Sequence, residues 1–290
     1  MMGSPKDELG RRDEETPLHK VTLTQPFQIG MHEVTQEQYQ KVMGTNPSDF
    51  KGPQNPVEQV SWNDAVEFCR KLSALPAEKS SGYLYFLPTE AVWAYACRSG
   101  TNSANISGDA NSGLGDYAWY DKNSGGTTHP VGQKKPNAWG LYDMSGNVSE
   151  FCQDWHGDYP TGSVTNPTGP SSGSLRVSRG GNWHQNPGLA RSAIRMKGPS
   201  GQTDYRLGFR VAYTIAKNVD HATNTLPSSL QEGLVAYYPF NEAYLVKFPV
   251  TFVSSYRYTT DDTGSHSLAA QGKVATHGFL LHPRSNGEAA

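Results

Sequence analysis

Residues 140–155 read GLYDMSGNVSEFCQDW, and the fold turns on how this run is interpreted. Asp143, Asn147 and Glu150 are spaced around a tight Ser145-Gly146-Asn147 turn, with apolar residues anchoring both sides. Side-chain oxygens and turn carbonyls drawn from so short a segment suit a hard cation. Calcium fits best, because it accepts several oxygen ligands, backbone carbonyls included, in flexible geometry. The competing interpretation is an Asx-rich turn leading into a strand, its carboxylates in water. Spacing alone leaves both open.

The rest of the chain sets bounds on that choice. With 290 residues, one large domain or a domain plus an appendage is expected. The 30 glycines and 19 prolines imply that turns and loops outweigh long regular elements. Net charge is −2 and no Lys/Arg cluster occurs, which argues against nucleic acid or an anionic membrane as partner. No apolar run approaches the roughly 20 residues that span a bilayer. Residues 1–15 are polar and charged, unlike a signal peptide. Cys69, Cys97 and Cys152 form a sparse, odd set without C-x-x-C, so neither a metal site nor a disulfide scaffold is expected from them.

A charged arm, Lys6 to Glu15, precedes a strand-like stretch from Lys20 to Gly30 with period-two runs on either side of Pro26. Thr35 and Gln38 form a capping-box pattern that starts a short helix closed by Gly44. Ser61 caps a second helix, with Ala65, Phe68, Cys69 and Leu72 on one face and Pro76 beyond its end. A third starts at Thr89, carries Trp93, Ala96 and Cys97, and stops near Gly100. From there to Arg210 short strands and Gly/Asn/Asp/Ser-rich loops predominate, which predicts an α+β, loop-rich fold. Residues 1–215 are read as one domain, 216–232 as a polar linker and 233–290 as a new segment opening with the strand-like GLVAYYPF.

Catalytic motifs are sparse. No phosphate-cradling loop, zincin helix or nucleophile elbow occurs. His156, close to Asp154, and His184 within GGNWHQ are the most suggestive histidines, each read first as a pocket-rim residue and second as a base. Arg191, Arg195, Arg206 and Arg210 cluster near Asp204; pairs that pin loops are favoured over anion binding. A second oxygen-rich segment could offer the Asn105 and Asp116 side chains with the Ile106 and Ala118 carbonyls, or be a flexible loop.

Several segments in this order carry a family resemblance: MGS at 2–4, ETPLHKVTL at 15–23, FQIGMHEVTQEQY at 27–39, NPVEQVSWNDAVEFC at 55–69, LPTEAVWAYACRSG at 87–100, PVGQKKPNAWGLYDMSGNVSEF at 130–151, RGGNW at 179–183 and DYRLGFRVA at 204–212. The chain resembles the formylglycine-generating-enzyme (sulfatase-modifying factor) domain over residues 2–213. That resemblance implies a variant of the C-type lectin fold and two calcium sites. One would use Asn105, the Ile106 carbonyl, Asp116 and the Ala118 carbonyl. The other would use Asp143, the Gly146 and Val148 carbonyls and Glu150, although Ser149 and Phe151 stand where the family usually has aromatic residues. The family's oxidases also carry two copper-binding cysteines after the Gly180-Gly181 pair. Here residues 182–195 read NWHQNPGLARSAIR, and no cysteine follows Cys152. Soft Cu(I) needs thiolates, so no copper and no oxidase chemistry are expected. The ergothioneine-pathway branch would add a histidine-rich iron domain, for which there is no motif.

Gly233 to Asn241 is similar to the opening strand of laminin-G/concanavalin-like domains, but the following residues do not continue the pattern. A truncated or frame-altered reading frame is therefore expected, the native full-length protein carrying a complete second domain and working outside the cytoplasm. Two functions follow. The first is a calcium-stabilised binding module for a small molecule, glycan or protein. The alternative is a calcium-dependent hydrolase of activated esters or phosphoesters, phosphotriesters included. In it His184, His156 or Asp154 would act as base, and Arg191 or Arg195 would steady developing charge.

Overall fold

The computed structural model describes residues 1–109 and 112–215, together with four short strand segments beyond them. Four helices lie in the first hundred residues: α1 (Gln36–Met43), α2 (Trp62–Ala74), α3 (Pro76–Ser80) and α4 (Glu90–Arg98). Nine short strands run through residues 1–215: β1 (Val21–Thr22), β2 (Gln28–Ile29), β3 (Tyr83–Phe86), β4 (Ser149–Trp155), β5 (Val164–Thr165), β6 (Arg176–Arg179), β7 (Met196–Gly198), β8 (Leu207–Gly208) and β9 (Ala212–Ile215). They form a three-stranded antiparallel sheet in the order β2-β9-β3 and a four-stranded sheet in the order β7-β6-β4-β8. A parallel pair, β1-β5, completes them. The fold is α+β and rich in loops.

Helix starts follow the local chemistry. Thr35 Oγ1 accepts from the Gln38 amide at 3.3 Å while Gln38 Oε1 accepts from the Thr35 amide at 3.0 Å, and Gly44 ends the helix at φ +83°. Ser61 and Asp64 exchange the same two bonds ahead of α2. Pro76 lies beyond α2 and also opens α3, because its fixed φ suits a first helical turn. Thr89 caps α4. The stretch from Lys20 to Gly30 departs from expectation: it is two separate two-residue strands, β1 paired with β5 and β2 with β9. Pro26, which lacks an N–H, falls in the break between them.

Among the described residues, two of four apolar clusters are the larger and fill most of the interior. One packs the Tyr39, Phe68 and Phe209 rings, with centroids 5.3 to 6.4 Å apart, against Val57, Val60 and Leu72. The other surrounds Trp93 with Ile29, Leu141, Met144 and Val177. Cys69, Cys97 and Cys152 are buried, free thiols on α2, α4 and β4. Among the described residues no helix is long and apolar enough to cross a membrane. The linker read at 216–232 lies outside the described residues, as does most of 233–290. Within that tail Val235–Tyr237 pairs with Pro249–Thr251, and Thr259–Thr260 with His266–Ser267, both antiparallel.

Charged pairs hold the arm down. Arg191 binds Glu8, Glu15 and the Gly10 carbonyl, and Arg195 reaches the Glu14 carbonyl at 2.9 Å. Arg195 also forks onto Glu90 at 2.7 and 2.9 Å, both side chains almost wholly buried. Removing one partner of such a pair strands a buried charge. Arg195→Ala is therefore expected to lower unfolding free energy by about 3–5 kcal/mol. Arg70→Ala, in the solvent-facing pair with Glu67, should leave the urea midpoint nearly unchanged.

Candidate functional site

The turn ahead of β4 folds as its composition suggests. Asp143 and Asn147 both take left-handed backbone, at φ +56° each, which Asp and Asn tolerate because their short side chains bond locally. Gly146 sits at φ +84°, where a Cβ would run into the Trp119 carbonyl, so only glycine fits.

The carboxylates of this turn are not in water. Asp143 is 2% exposed and Glu150 is fully buried. Asp143 Oδ2 accepts from the Gly132 amide at 2.7 Å, while its Oδ1 is buried without a hydrogen-bond donor. Burial pushes the Asp143 carboxyl up to about 6. Glu150 accepts from Arg210 Nε and Nη2, each at 2.7 Å, and from Trp93 Nε1 at 2.7 Å. A carboxylate offers about four lone-pair directions, so these three donors leave one free on Oε1.

Glu33, which the sequence did not single out, joins them from the loop before α1. Its oxygens accept from Asn147 Nδ2 at 2.7 Å and from the Val148 amide at 3.0 Å. Burial first, then the nearby Asp143 and Glu150 charges, raise its carboxyl well above the usual range. Three buried carboxyl groups thus face one guanidinium, that of Arg210, whose five donors are all used. Such a cluster favours bound protons or a cation. Among the described residues no three His, Cys, Asp or Glu side chains converge closely enough to hold a metal alone. A cation here would draw on carbonyls as well. The Gly146 and Val148 carbonyls suit that role: among the described residues neither accepts a hydrogen bond from elsewhere in the chain.

The second oxygen-rich segment is arranged differently. Ile106 packs on Leu114, Ala118 and Ala190, which brings the 105–106 and 116–118 loops together. Asn105 and Gly108 exchange backbone bonds at 2.9 and 3.0 Å. The Asp116 carboxylate, however, is 60% exposed and paired with Lys135 at 2.8 Å, and the Ala118 carbonyl accepts from Asn123 Nδ2 at 2.9 Å.

The candidate catalytic groups are scattered over the molecule. Asp154 caps α4 by accepting from the Glu90 amide at 2.8 Å. Burial and the Glu90 charge push its carboxyl up to about 7. His156 is half-buried with Nε2 lacking a donor or acceptor, and burial beside Arg195 and Lys197 lowers its affinity for a proton. His184 is exposed and lies against Trp183. Arg191 and Arg195 are committed to the ion pairs of the arm and Glu90, and Arg206 to Asp204 at 2.6 Å. Among the described residues no hydrogen bond links His184, His156 or Asp154 to Asp143 or Glu150.

The structure also gathers a surface the sequence did not announce. Trp183 packs edge-on to Phe50 at 5.2 Å and against Tyr205 at 5.7 Å, with Tyr205 36% exposed and His184 beside it. Asn182 and Gln185 flank these rings, and Gln185 Oε1 has no donor.

Comparison with known proteins matches residues 2–215 to a family model described as "Sulfatase-modifying factor enzyme 1-like domain". Chaperone protein LppX of Paenibacillus barcinonensis is 35% identical over 210 residues, 56% of this chain and 71% of that protein. The formylglycine-generating enzyme of Bos taurus is 34% identical over 185 residues, covering 58% of this chain and 46% of the enzyme. That of Streptomyces coelicolor is 33% identical over 194 residues, covering 57% and 55%. The chain therefore spans about half the length of these enzymes. Among solved structures, Treponema denticola variable protein 1 superposes with a TM-score of 0.65 at 34% identity, over 73% of this chain and 91% of that one. PvdO from Pseudomonas aeruginosa gives 0.62 at 31% identity, over 73% and 89%.

The Asp154 environment makes a pH-dependent prediction. Its folded pKa is raised to about 7, so the native state holds a proton that the unfolded chain releases near pH 4. Asp154 therefore costs stability increasingly as pH rises from about 4 through 7. Asp154→Asn keeps an acceptor for the Glu90 amide and removes the titration. The variant should be more stable than the parent at pH 8, with the advantage shrinking toward pH 5 in urea unfolding. An advantage that does not change with pH would contradict this assignment.

Proposed function

The chain belongs to the sulfatase-modifying factor enzyme 1-like family, and on that premise we propose that it is a calcium-organised binding module without oxidase activity. The observation that carries the calcium reading is Asp143 Oδ1, an oxygen buried without a donor beside two further carboxyl groups. Asp143, the Gly146 and Val148 carbonyls and the remaining lone pair of Glu150 form a hard, oxygen-only donor set, which suits calcium. The ion would offset the excess negative charge of the cluster and hold the turn. A second, weaker site at Asn105, Ile106, Asp116 and Ala118 would require Asp116 to exchange Lys135 for the ion.

The non-oxidase half of the proposal rests on the absence of cysteine after Cys152 and on three thiols buried on separate elements. Family membership does not imply oxidase chemistry for every member, since one relative is named a chaperone. The ligand would sit on the Phe50, Trp183, His184 and Tyr205 face. The exposed rings of Tyr205 and His184 can stack on a sugar or a peptide side chain, with the buried Trp183 backing them from within. The hydrolase alternative gains nothing from arginines already committed to ion pairs.

Calorimetric titration with calcium should give a tighter binding event that Asp143→Asn removes, distinct from weaker binding at Asp116. At a free calcium concentration 100 times Kd, linkage stabilises the fold by about 2.7 kcal/mol, or about 5–10 °C in Tm for a domain of this size. The protein should leave a C-x-P-x-R peptide unconverted, and chromogenic esters and phosphotriesters should turn over at the buffer rate with or without EDTA. An absent calcium heat would end the cation reading, and EDTA-sensitive turnover would replace the module by the hydrolase.

A further inference from the structure

Asn147 is fully buried and uses every polar group it has. Its amide donates to the Trp119 carbonyl at 2.9 Å, and its carbonyl accepts from the Trp183 amide at 2.9 Å. Its Oδ1 accepts from the His129 amide at 3.0 Å, and its Nδ2 donates to Glu33 at 2.7 Å and to the His129 carbonyl at 3.2 Å. One residue thus joins the acidic cluster, the Trp119–His129 stack and the aromatic face. The left-handed backbone at φ +56° is what lets all five bonds form at once.

Peptide planarity turns this hub into a linkage. The Asn147 carbonyl and the Val148 amide belong to one rigid plane. One edge of that plane holds Trp183, and the other donates to Glu33 Oε1 at 3.0 Å. Likewise the Gly146 carbonyl shares a plane with the Asn147 amide that bonds Trp119. Of the two carbonyls offered to a cation, that of Gly146 therefore cannot turn without moving the Asn147 amide on Trp119 and, through the buried Asn147, the peptide that holds Trp183. The Val148 carbonyl shares its plane with the Ser149 amide, which bonds the Arg206 carbonyl at 2.8 Å. Trp183 passes the displacement on, because its indole donates to the Tyr205 carbonyl at 3.2 Å and packs on Phe50.

We propose that Asn147 is a positioning residue through which calcium at the 143–150 turn sets the geometry of the Trp183 face, without touching the ligand. The inference rests on the calcium reading above and adds its regulation: cation occupancy and ligand recognition are coupled, each strengthening the other. The coupling resides in the Asn147 side chain and its two flanking peptides.

The test uses the full chain and calcium chloride, with heat of binding and Trp183 emission followed in the same titration. Trp183 emission is taken as the difference between the parent and Trp183→Phe. In the parent the emission change should track the heat. Asn147→Gly keeps a backbone suited to the left-handed turn and deletes the side-chain bonds; it should cut the Trp183 amplitude at least threefold while a calcium heat persists. A calcium heat with silent Trp183 in the parent, or full Trp183 amplitude in Asn147→Gly, overturns the coupling and leaves the calcium site standing. No calcium heat in the parent removes the cation reading and the coupling together. Should Asn147→Gly fail to fold, amide hydrogen exchange on the parent decides. The Trp183, His129 and Val148 amides should slow together, by about tenfold or more, when calcium is added. Slowing at Val148 with Trp183 unchanged overturns the proposal.

Discussion

The buried pair between Arg210 and Glu150 is the constraint on which the rest of this molecule depends. Glu150 lies on β4 in the four-stranded sheet, and Arg210 stands two residues before β9 in the three-stranded one. Their forked contact stitches the two sheets together, and the remaining donors of Arg210 fix the carbonyls of Gly30, Met31 and Tyr142. Taking both charges out of water costs several kcal/mol per ion, which an ion pair offsets only with excellent geometry and full hydrogen bonding. Arg210 meets that condition, since each of its five N–H groups has an acceptor. The position of Asp143 follows directly, because Arg210 grips the carbonyl of the residue before it.

Elsewhere the same device replaces regular structure. Apart from the seven-residue β4, strands of two to four residues leave many backbone carbonyls without ladder partners, and buried carbonyls need donors. Arginine supplies them. Arg179, wholly buried on β6, donates to the carbonyls of Ser192, Ala193 and Ile194 and so holds the loop that leads into β7. Arg195 does this for Glu14 and Gly157 while forking onto Glu90, and Arg191 for Gly10 and Gly188. A loop-rich domain of this kind stays ordered because planar guanidinium groups bridge segments far apart in sequence.

How much of this could be read from the chain depends on range. The helix starts at Thr35, Ser61 and Thr89 were legible because a cap is settled within four residues. The arginines near Asp204 could be recognised as pairing residues, but only Arg206 takes that aspartate; the partners of Arg191 lie some 180 residues away in the arm. Glu33 escaped notice for the same reason, being 114 residues from the Asn147 side chain it holds. Period-two patterning over 20–30 suggested continuous extended structure but could not show that its halves serve different sheets. The Asp143 turn was legible as a concentration of oxygens, yet nothing local distinguishes a carboxylate in water from one that is 2% exposed.

The loop after Gly181 carries no cysteine, and its anchoring needs none. Residues 182–195 are tied at both ends: Trp183 to Asn147, and the stretch 191–195 to Glu15, Glu90 and Arg179. None of those ties involves sulfur. Between them the chain exposes His184 beside the edge of the aromatic cluster. A frame pinned by ion pairs can therefore exchange its surface chemistry with little cost to the core, because the Arg210–Glu150 stitch and the Asn147 hub lie beneath that surface. In such a fold the buried carboxyl cluster and the loop ties are scaffold, while the exposed residues of the loop carry little of the core's stability.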